Sequence, residues 1–275
     1  MLINFSKMHG LGNDFVVIDA INQTIELSTA QIRQLADRHY GIGFDQLLLV
    51  RPAQGDADFR YVIYNADGSE VSQCGNGARC FALFVKQKGL SNKSSIRVET
   101  GAGNLVLNID AANQITVDMG LPIFEPAKIP LAQAQQQELY KVEAAGAEVK
   151  FSALSMGNPH AVIEVDALQD MTVDILGAAM EQHAVFPERA NIGFSEIKGP
   201  QHLALRVYER GAGETLACGS GACAAAVAAI VQGKLSSPVT VSLAGGALSI
   251  AWQGLGYPVM MSGPASFVFD GMINL

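Results

Sequence analysis

The chain has 275 residues, 49% hydrophobic and 16% charged, with 18 Lys and Arg against 26 Asp and Glu for a formal net charge of −8. That length suits two domains or one large one, and a disordered chain would be more polar and more charged. The acidic balance speaks against nucleic acid as a partner, four cysteines are too few for a disulfide scaffold, and no apolar run approaches the ~20 residues that cross a bilayer.

The longest apolar run, residues 222–231, has ten. The first residues lack a basic stretch followed by an apolar one, so no signal peptide is expected and the expected location is the cytoplasm. In chain order, β-branched or alternating runs at 15–18, 46–50, 60–64, 96–99, 105–109 and 115–118 predict strands. Residues 110–113 turn the last two into a hairpin. Ser28 is placed to N-cap a helix over 29–39, with Gln31 at the capping-box position and Ile32, Leu35 and Ala36 on one face. A second helix starts at Cys74-Gly75-Asn76-Gly77 and runs to about Gln87. Residues 121–149, with Pro122, Pro126, Pro130 and a Gln-rich stretch, read as a connecting segment. A helix over roughly 173–183 follows, then one that opens at Cys218-Gly219-Ser220-Gly221 and runs to about Gln232. Residues 222–231 are apolar all round, so this helix must be buried on every side. Strands wrapped about it are the simplest arrangement.

The chain repeats itself. Gly12-Asn13-Asp14-Phe15-Val16-Val17-Ile18-Asp19 aligns with Gly157-Asn158-Pro159-His160-Ala161-Val162-Ile163-Glu164 at an offset of 145, and Ile42-Gly43-Phe44 with Ile192-Gly193-Phe194 at 150. The stretch from Tyr64 to Ala78 aligns with that from Tyr208 to Ala222 at 144, and Glu70 and Glu214 keep that register. Gly103-Asn104-Leu105 meets Gly246-Ala247-Leu248 at 143, and Gly120-Leu121-Pro122 meets Gly263-Pro264-Ala265 less closely. Five matches in one order describe two homologous halves.

The strongest chemical signal is the Cys-Gly-x-Gly segment that follows a strand and opens a buried helix in each half. Unpaired N–H groups and the positive end of the helix dipole favour an anion there. They bias the thiol toward thiolate, and the glycines admit a carboxylate close to the backbone. Cys80 and Cys223 read as small buried hydrophobes. A zinc site lacks the usual Cys-x2-Cys spacing and a nearby His. A dinucleotide-binding loop is the runner-up, since residues 219–224 fit G-x-G-x-x-A. Against it, Cys80 holds the third position in the first half, and no acidic residue stands about 20 residues after the second loop. Two thiols on opposite sides of one carbon would remove a proton from one face and return one to the other, inverting a stereocentre without metal or redox partner.

Met8-His9-Gly10-Leu11-Gly12-Asn13-Asp14-Phe15, Asn65-Ala66-Asp67-Gly68-Ser69, Cys74-Gly75-Asn76-Gly77-Ala78-Arg79-Cys80, Gly157-Asn158-Pro159-His160, Glu209-Arg210-Gly211 and Cys218-Gly219-Ser220-Gly221 resemble the diaminopimelate epimerase family. The resemblance runs from Phe5 to Gly271. It implies an α+β fold of two pseudo-symmetric domains, 1–120 plus 264–275 and 121–263. Each would be a curled mixed β-sheet or barrel around a central helix, with the active site in the cleft between them. The implied reaction is cofactor-independent interconversion of LL- and meso-diaminopimelate in bacterial lysine and peptidoglycan precursor synthesis; a racemase of another amino acid is the nearest variant. By resemblance Cys74 and Cys218 are the acid/base thiols, and His160 and Glu209 assist them. Asn13, Gln46, Asn65, Asn158, Asn191, Glu209 and Arg210 bind substrate, with Gly75, Asn76, Gly219 and Ser220 cradling a carboxylate. The implied partners are a small-molecule substrate and a second copy in a homodimer, with no nucleic acid, membrane, cofactor or metal. Phe269 stands where the family commonly has a dimer-contact tyrosine. Asn108 and Asn113 read as turn formers, and His39 and His183 as structural residues at helix ends.

Overall fold

The computed structural model describes residues 2–72 and 74–275. The chain divides into two compact units, Met1–Asp118 with Ser262–Leu275, and Met119–Met261. Among the described residues there are four α-helices against a large excess of strand, a mixed α+β fold.

In the first unit the strand Leu2–Gly10 pairs antiparallel with Asn13–Asp19 on one side and Ser266–Asn274 on the other. Asn13–Asp19 runs parallel to Gln46–Pro52, which pairs antiparallel with Phe59–Asn65. Phe59–Asn65 meets Glu70–Val71 antiparallel and Ser95–Thr100 parallel, and Ser95–Thr100 continues antiparallel through Gly103–Ile109 to Ile115–Asp118. Helix α1, Thr29–Ala36, starts as the capping box predicts: the Ser28 side chain accepts from the Gln31 amide, and Gln31 returns a bond to the Ser28 backbone. Its Ile32, Leu35 and Ala36 share a core with Ile3, Val16, Ile18, Leu47 and Leu49. Helix α2, Gly75–Gln87, is buried from Asn76 to Val85 and lies near Phe15, Leu48 and Tyr61. The strands at 15–18 and 46–50 are thus covered on both faces, which is why they read as unbroken apolar runs. Each fully buried Leu or Ile contributes about 2 kcal/mol.

The second unit repeats this connectivity. Ala147–Ser155, Pro159–Glu164, Asn191–Gly199, His202–Glu209, Gly213–Thr215, Val239–Leu243 and Gly246–Ala251 pair in the same succession of antiparallel and parallel neighbours. Helix α3, Val173–Glu181, adds Val173 and Met180 to a core with Phe151, Phe186, Ile192 and Phe194. Helix α4, Gly219–Val231, is buried at Gly219 and from Gly221 through Ala229, as its all-round apolarity requires, and packs against six of these strands. The partner of the leading strand differs. Ala147–Ser155 takes its own hairpin neighbour Tyr140–Ala144, whereas Leu2–Gly10 takes a strand from the far end of the sequence.

Four expectations need correction. The helix predicted to reach residue 39 stops at Ala36, because Asp37 turns to extended backbone (φ −60°, ψ 125°) and its carboxylate accepts from the His39 and Tyr40 amides. Likewise α3 stops at Glu181, and His183 Nδ1 accepts from the Val185 amide beyond it. The segment 121–149 is not only a connection: it carries Pro126–Lys128 as a 3-10 turn and the Tyr140–Ala144 strand, whose buried Tyr140 and Ala144 alternate with outward Lys141 and Glu143. Asn113 sits in a turn with φ 59°, but Asn108 lies in a strand opposite Ser95.

Candidate active site

Cys74 and Cys218 are the N-cap residues of α2 and α4. Each unit therefore holds one cysteine at a helix start, where the first N–H groups lack intrahelical acceptors.

In the first unit the half-buried Cys74 Sγ accepts from the Gly77 amide at 3.5 Å and lies 4.0 Å from Asn13 Oδ1. Gly77 is tightly packed: a Cβ there would stand 2.2 Å from Tyr61 Oη. Tyr61 in turn donates to the Cys74 carbonyl at 3.3 Å. Asn76 is buried; its Nδ2 donates to Asn13 Oδ1 at 3.3 Å, and its Oδ1 accepts from Arg79 Nη2 at 3.0 Å. Arg79 is fully buried and also donates to the Pro264 carbonyl at 3.0 Å. Gln46 Nε2 donates to Asn65 Oδ1 at 3.0 Å, and Asn65 Nδ2 to Ser69 Oγ at 3.1 Å. The Gln46 Oε1 atom is buried without a hydrogen-bond partner among the described residues, an acceptor open to an incoming N–H.

In the second unit the buried Cys218 thiol donates to Glu209 Oε2 at 3.1 Å, while Glu209 Oε1 accepts from Thr215 Oγ1 at 2.6 Å. Burial, then the Glu209 charge and its hydrogen bond, push this thiol well above the ordinary cysteine value. The expectation that each helix start biases its cysteine toward thiolate is therefore reversed here. The Gly221 amide and the Ser220 hydroxyl, 3.7 Å away, favour the thiolate, but desolvation and an adjacent carboxylate outweigh them. From the other side, His160 Nε2 lies 2.9 Å from Asn158 Oδ1, and Asn158 Nδ2 donates to Ser220 Oγ at 3.3 Å. Burial first, and the Arg210 charge second, push the His160 imidazole down to about 3. It is neutral at pH 7, donating one N–H. Of the two expected assistants, Glu209 bonds the Cys218 thiol and His160 bonds Asn158. Asn191 Oδ1 accepts from the Arg210 amide at 3.0 Å and its Nδ2 donates to the Pro159 carbonyl at 3.0 Å. The exposed Arg210 side chain reaches the Glu188 carbonyl at 3.1 Å.

Gly75 and Asn76, like Gly219 and Ser220, are the first residues of their helices. Cys80 and Cys223 are fully buried, and burial pushes the Cys80 thiol up. Phe269 is half-exposed, its ring edge-on to Phe5 at 6.1 Å. Thr215 and Arg79 escaped the sequence reading as functional side chains. Thr215 gives no signal, but Arg79 is a charge inside an otherwise apolar buried helix, which demands partners.

A family model for diaminopimelate epimerase matches residues 5–125 and 152–268. A curated diaminopimelate epimerase from Nitrosospira multiformis is 54% identical over 275 residues, covering 100% of this chain and 99% of the relative. The chain belongs to the diaminopimelate epimerase family. Its fold extends past the diaminopimelate epimerases. A Bacillus anthracis protein of the phenazine biosynthesis PhzF family superposes with TM-score 0.69 at 16% identity over 100% of both chains. A hydroxyproline epimerase from Agrobacterium vitis does so with TM-score 0.70 at 13% identity, over 99% of this chain and 92% of the other.

Proposed function

We propose that this protein epimerises diaminopimelate, interconverting the LL and meso forms by thiol acid/base chemistry without a cofactor. The observation that carries the reading is the pair of homologous cysteines capping α2 and α4, one of them hydrogen-bonded to a carboxylate. One sulfur, as thiolate, takes the α-proton: the C–H bond breaks, an S–H bond forms, and the electron pair moves into the substrate carboxylate. The helix-start amides at Gly75-Asn76 and Gly219-Ser220 hold that carboxylate and stabilise its added charge. The other sulfur, as thiol, delivers its proton to the opposite face. Glu209 accepts the Cys218 proton when Cys218 must serve as base. Asn13, Gln46, Asn65, Asn158 and Asn191 supply amide acceptors and donors for a zwitterion, Arg210 pairs with a carboxylate, and His160 acts through Asn158.

We place the enzyme in the cytoplasm, where its four free cysteines stay reduced. We assign it a homodimer built on the strand Ser266–Asn274, which exposes Phe267, Val268, Phe269 and Met272.

Incubation with LL-diaminopimelate in deuterium oxide is expected to give meso product carrying one deuterium at the inverted carbon. Cys74→Ala and Cys218→Ala should each abolish turnover with the fold retained. Near-wild-type epimerisation by either variant, or product without deuterium, would refute the two-thiol reading.

A further inference from the structure

The two units carry homologous asparagines that face opposite ways. Asn13 and Asn158 stand 145 residues apart in sequence, and each leads into a strand that runs parallel to its neighbour in the same register, Phe15 beside Gln46 and His160 beside Asn191. A carboxamide has one accepting end and one donating end of similar size, so its neighbours decide its orientation. Asn13 Nδ2 donates to Asp45 Oδ2 at 2.9 Å, which turns Oδ1 toward Asn76 Nδ2 and Cys74 Sγ. For Asn158 the oxygen takes the His160 Nε2 and the nitrogen points to Ser220.

The sequence accounts for the reversal. At the shared offset of 145, Asp45 corresponds to Ala190 and Phe15 to His160. The first half thus supplies a pure acceptor beside its asparagine, and the second a neutral imidazole whose Nε2 faces the Asn158 oxygen. Asp45 is itself held in place. Its amide donates to the Asp14 carbonyl at 3.0 Å, its Oδ2 accepts from the Asp14 amide at 3.1 Å, and its Oδ1 accepts from Arg38 Nη2 at 2.8 Å. Asp14 is pinned by Arg38 at 2.7 and 3.0 Å and by Lys7 at 2.5 Å. Arg38 and Asp45 are substantially exposed, so the cluster adds little Coulomb stability. What it fixes is geometry.

We infer that Asp45 is a positioning residue, which turns the Asn13 carboxamide so that its oxygen, not its nitrogen, faces the Cys74 helix start. This rests on the proposed reaction: the oxygen then accepts an N–H of the substrate ammonium, while His160 gives Asn158 the opposite polarity at Ser220. Without Asp45 the Asn13 nitrogen loses its acceptor, and only the longer bond from Asn76 Nδ2, itself oriented by Arg79, still favours the oxygen-inward orientation, so the amide is freer to turn N–H groups toward a cation.

Two measurements test this. In wild-type protein labelled at asparagine nitrogen, the Asn13 side-chain protons should exchange slowly with solvent and become fast in Asp45→Ala. Fast exchange in the wild type overturns the inference, whatever the activity proves to be. In steady-state kinetics, Asp45→Ala should raise KM about tenfold, the scale of one lost hydrogen bond to a charged group, with a smaller change in kcat. Adding Asn13→Asp to that variant offers oxygen on both sides and should return KM toward wild type. A KM that Asp45→Ala leaves unchanged, or that Asn13→Asp does not relieve, overturns the positioning role. Absence of deuterium incorporation by the wild type would instead count against the reaction, leaving the exchange result to decide the amide's orientation.

Discussion

Replacing Glu209 by Gln removes a charge 3.1 Å from Cys218 Sγ while keeping the shape of the side chain. Two unit charges at that distance repel by about 5 kcal/mol at an effective dielectric near 20, and one pKa unit corresponds to about 1.4 kcal/mol. Glu209 is only half-buried, so water screens part of this, and the Cys218 titration midpoint is expected to fall. Burial is the larger cause of the upward shift and survives the substitution. The midpoint should therefore not drop below that of free cysteine, about 8.5. Alkylation of Cys218 by iodoacetamide across pH, followed by peptide mass spectrometry, measures this directly. Because the amide no longer accepts the thiol proton, turnover should fall by about a hundredfold or more. A midpoint that stays put or rises, or turnover near wild type, would refute the assignment of Glu209 as the group that holds the Cys218 proton.

The neutral, buried His160 makes the protein acid-labile over a defined window. Its folded value of about 3 lies below the unfolded 6.5, so the unfolded chain binds a proton that the folded one refuses. The stability this confers is present above pH 6.5 and lost as pH falls toward 3, up to about 4 kcal/mol. His160→Gln should flatten the denaturant midpoint against pH across that range; an unchanged slope contradicts the assignment. Gly77→Ala forces a methyl to 2.2 Å from Tyr61 Oη at the mouth of α2. It should destabilise by about 1–3 kcal/mol, read as a lower melting temperature, and Tyr61→Phe in the same chain should recover part of the loss.

Helix starts were legible because they are written in adjacent residues. Ser28 with Gln31, and Cys-Gly-x-Gly at both long helices, name their own geometry, and the repeat multiplied each signal. Helix ends were less so: Asp37 stops α1 by hydrogen-bonding amides that follow it, which periodicity does not register. The Tyr140–Ala144 strand alternates apolar and charged residues, but it is only five residues long and follows a Pro- and Gln-rich stretch that reads as a linker. In the candidate site, the side chains at the helix starts could be named from sequence, but not which of them touch. Asp45, Arg38 and Lys7 give no hydrophobic pattern that links them to Asn13 or Asp14; Asp45 arrives through the parallel pairing with Gln46–Pro52 and Lys7 through the antiparallel hairpin of Leu2–Gly10 with Asn13–Asp19. Thr215 reaches Glu209 across a tight antiparallel turn. The reversed Cys218 bias depended on burial, which no local motif states.

The strand Ser266–Asn274 has a consequence for synthesis. It is the antiparallel neighbour of Leu2–Gly10, so the unit whose residues leave the ribosome first is the last to be finished. Until the closing strand arrives, Leu2–Gly10 presents an unpaired edge, the kind of surface that recruits stray chains. The second unit is continuous, with a local hairpin standing in for that distant strand, and nothing in its order of emergence obliges it to wait. A nascent chain halted before residue 266 should therefore hold one unit resistant to protease beside one that is still open, and completing the last strand should close the second without further change in the first.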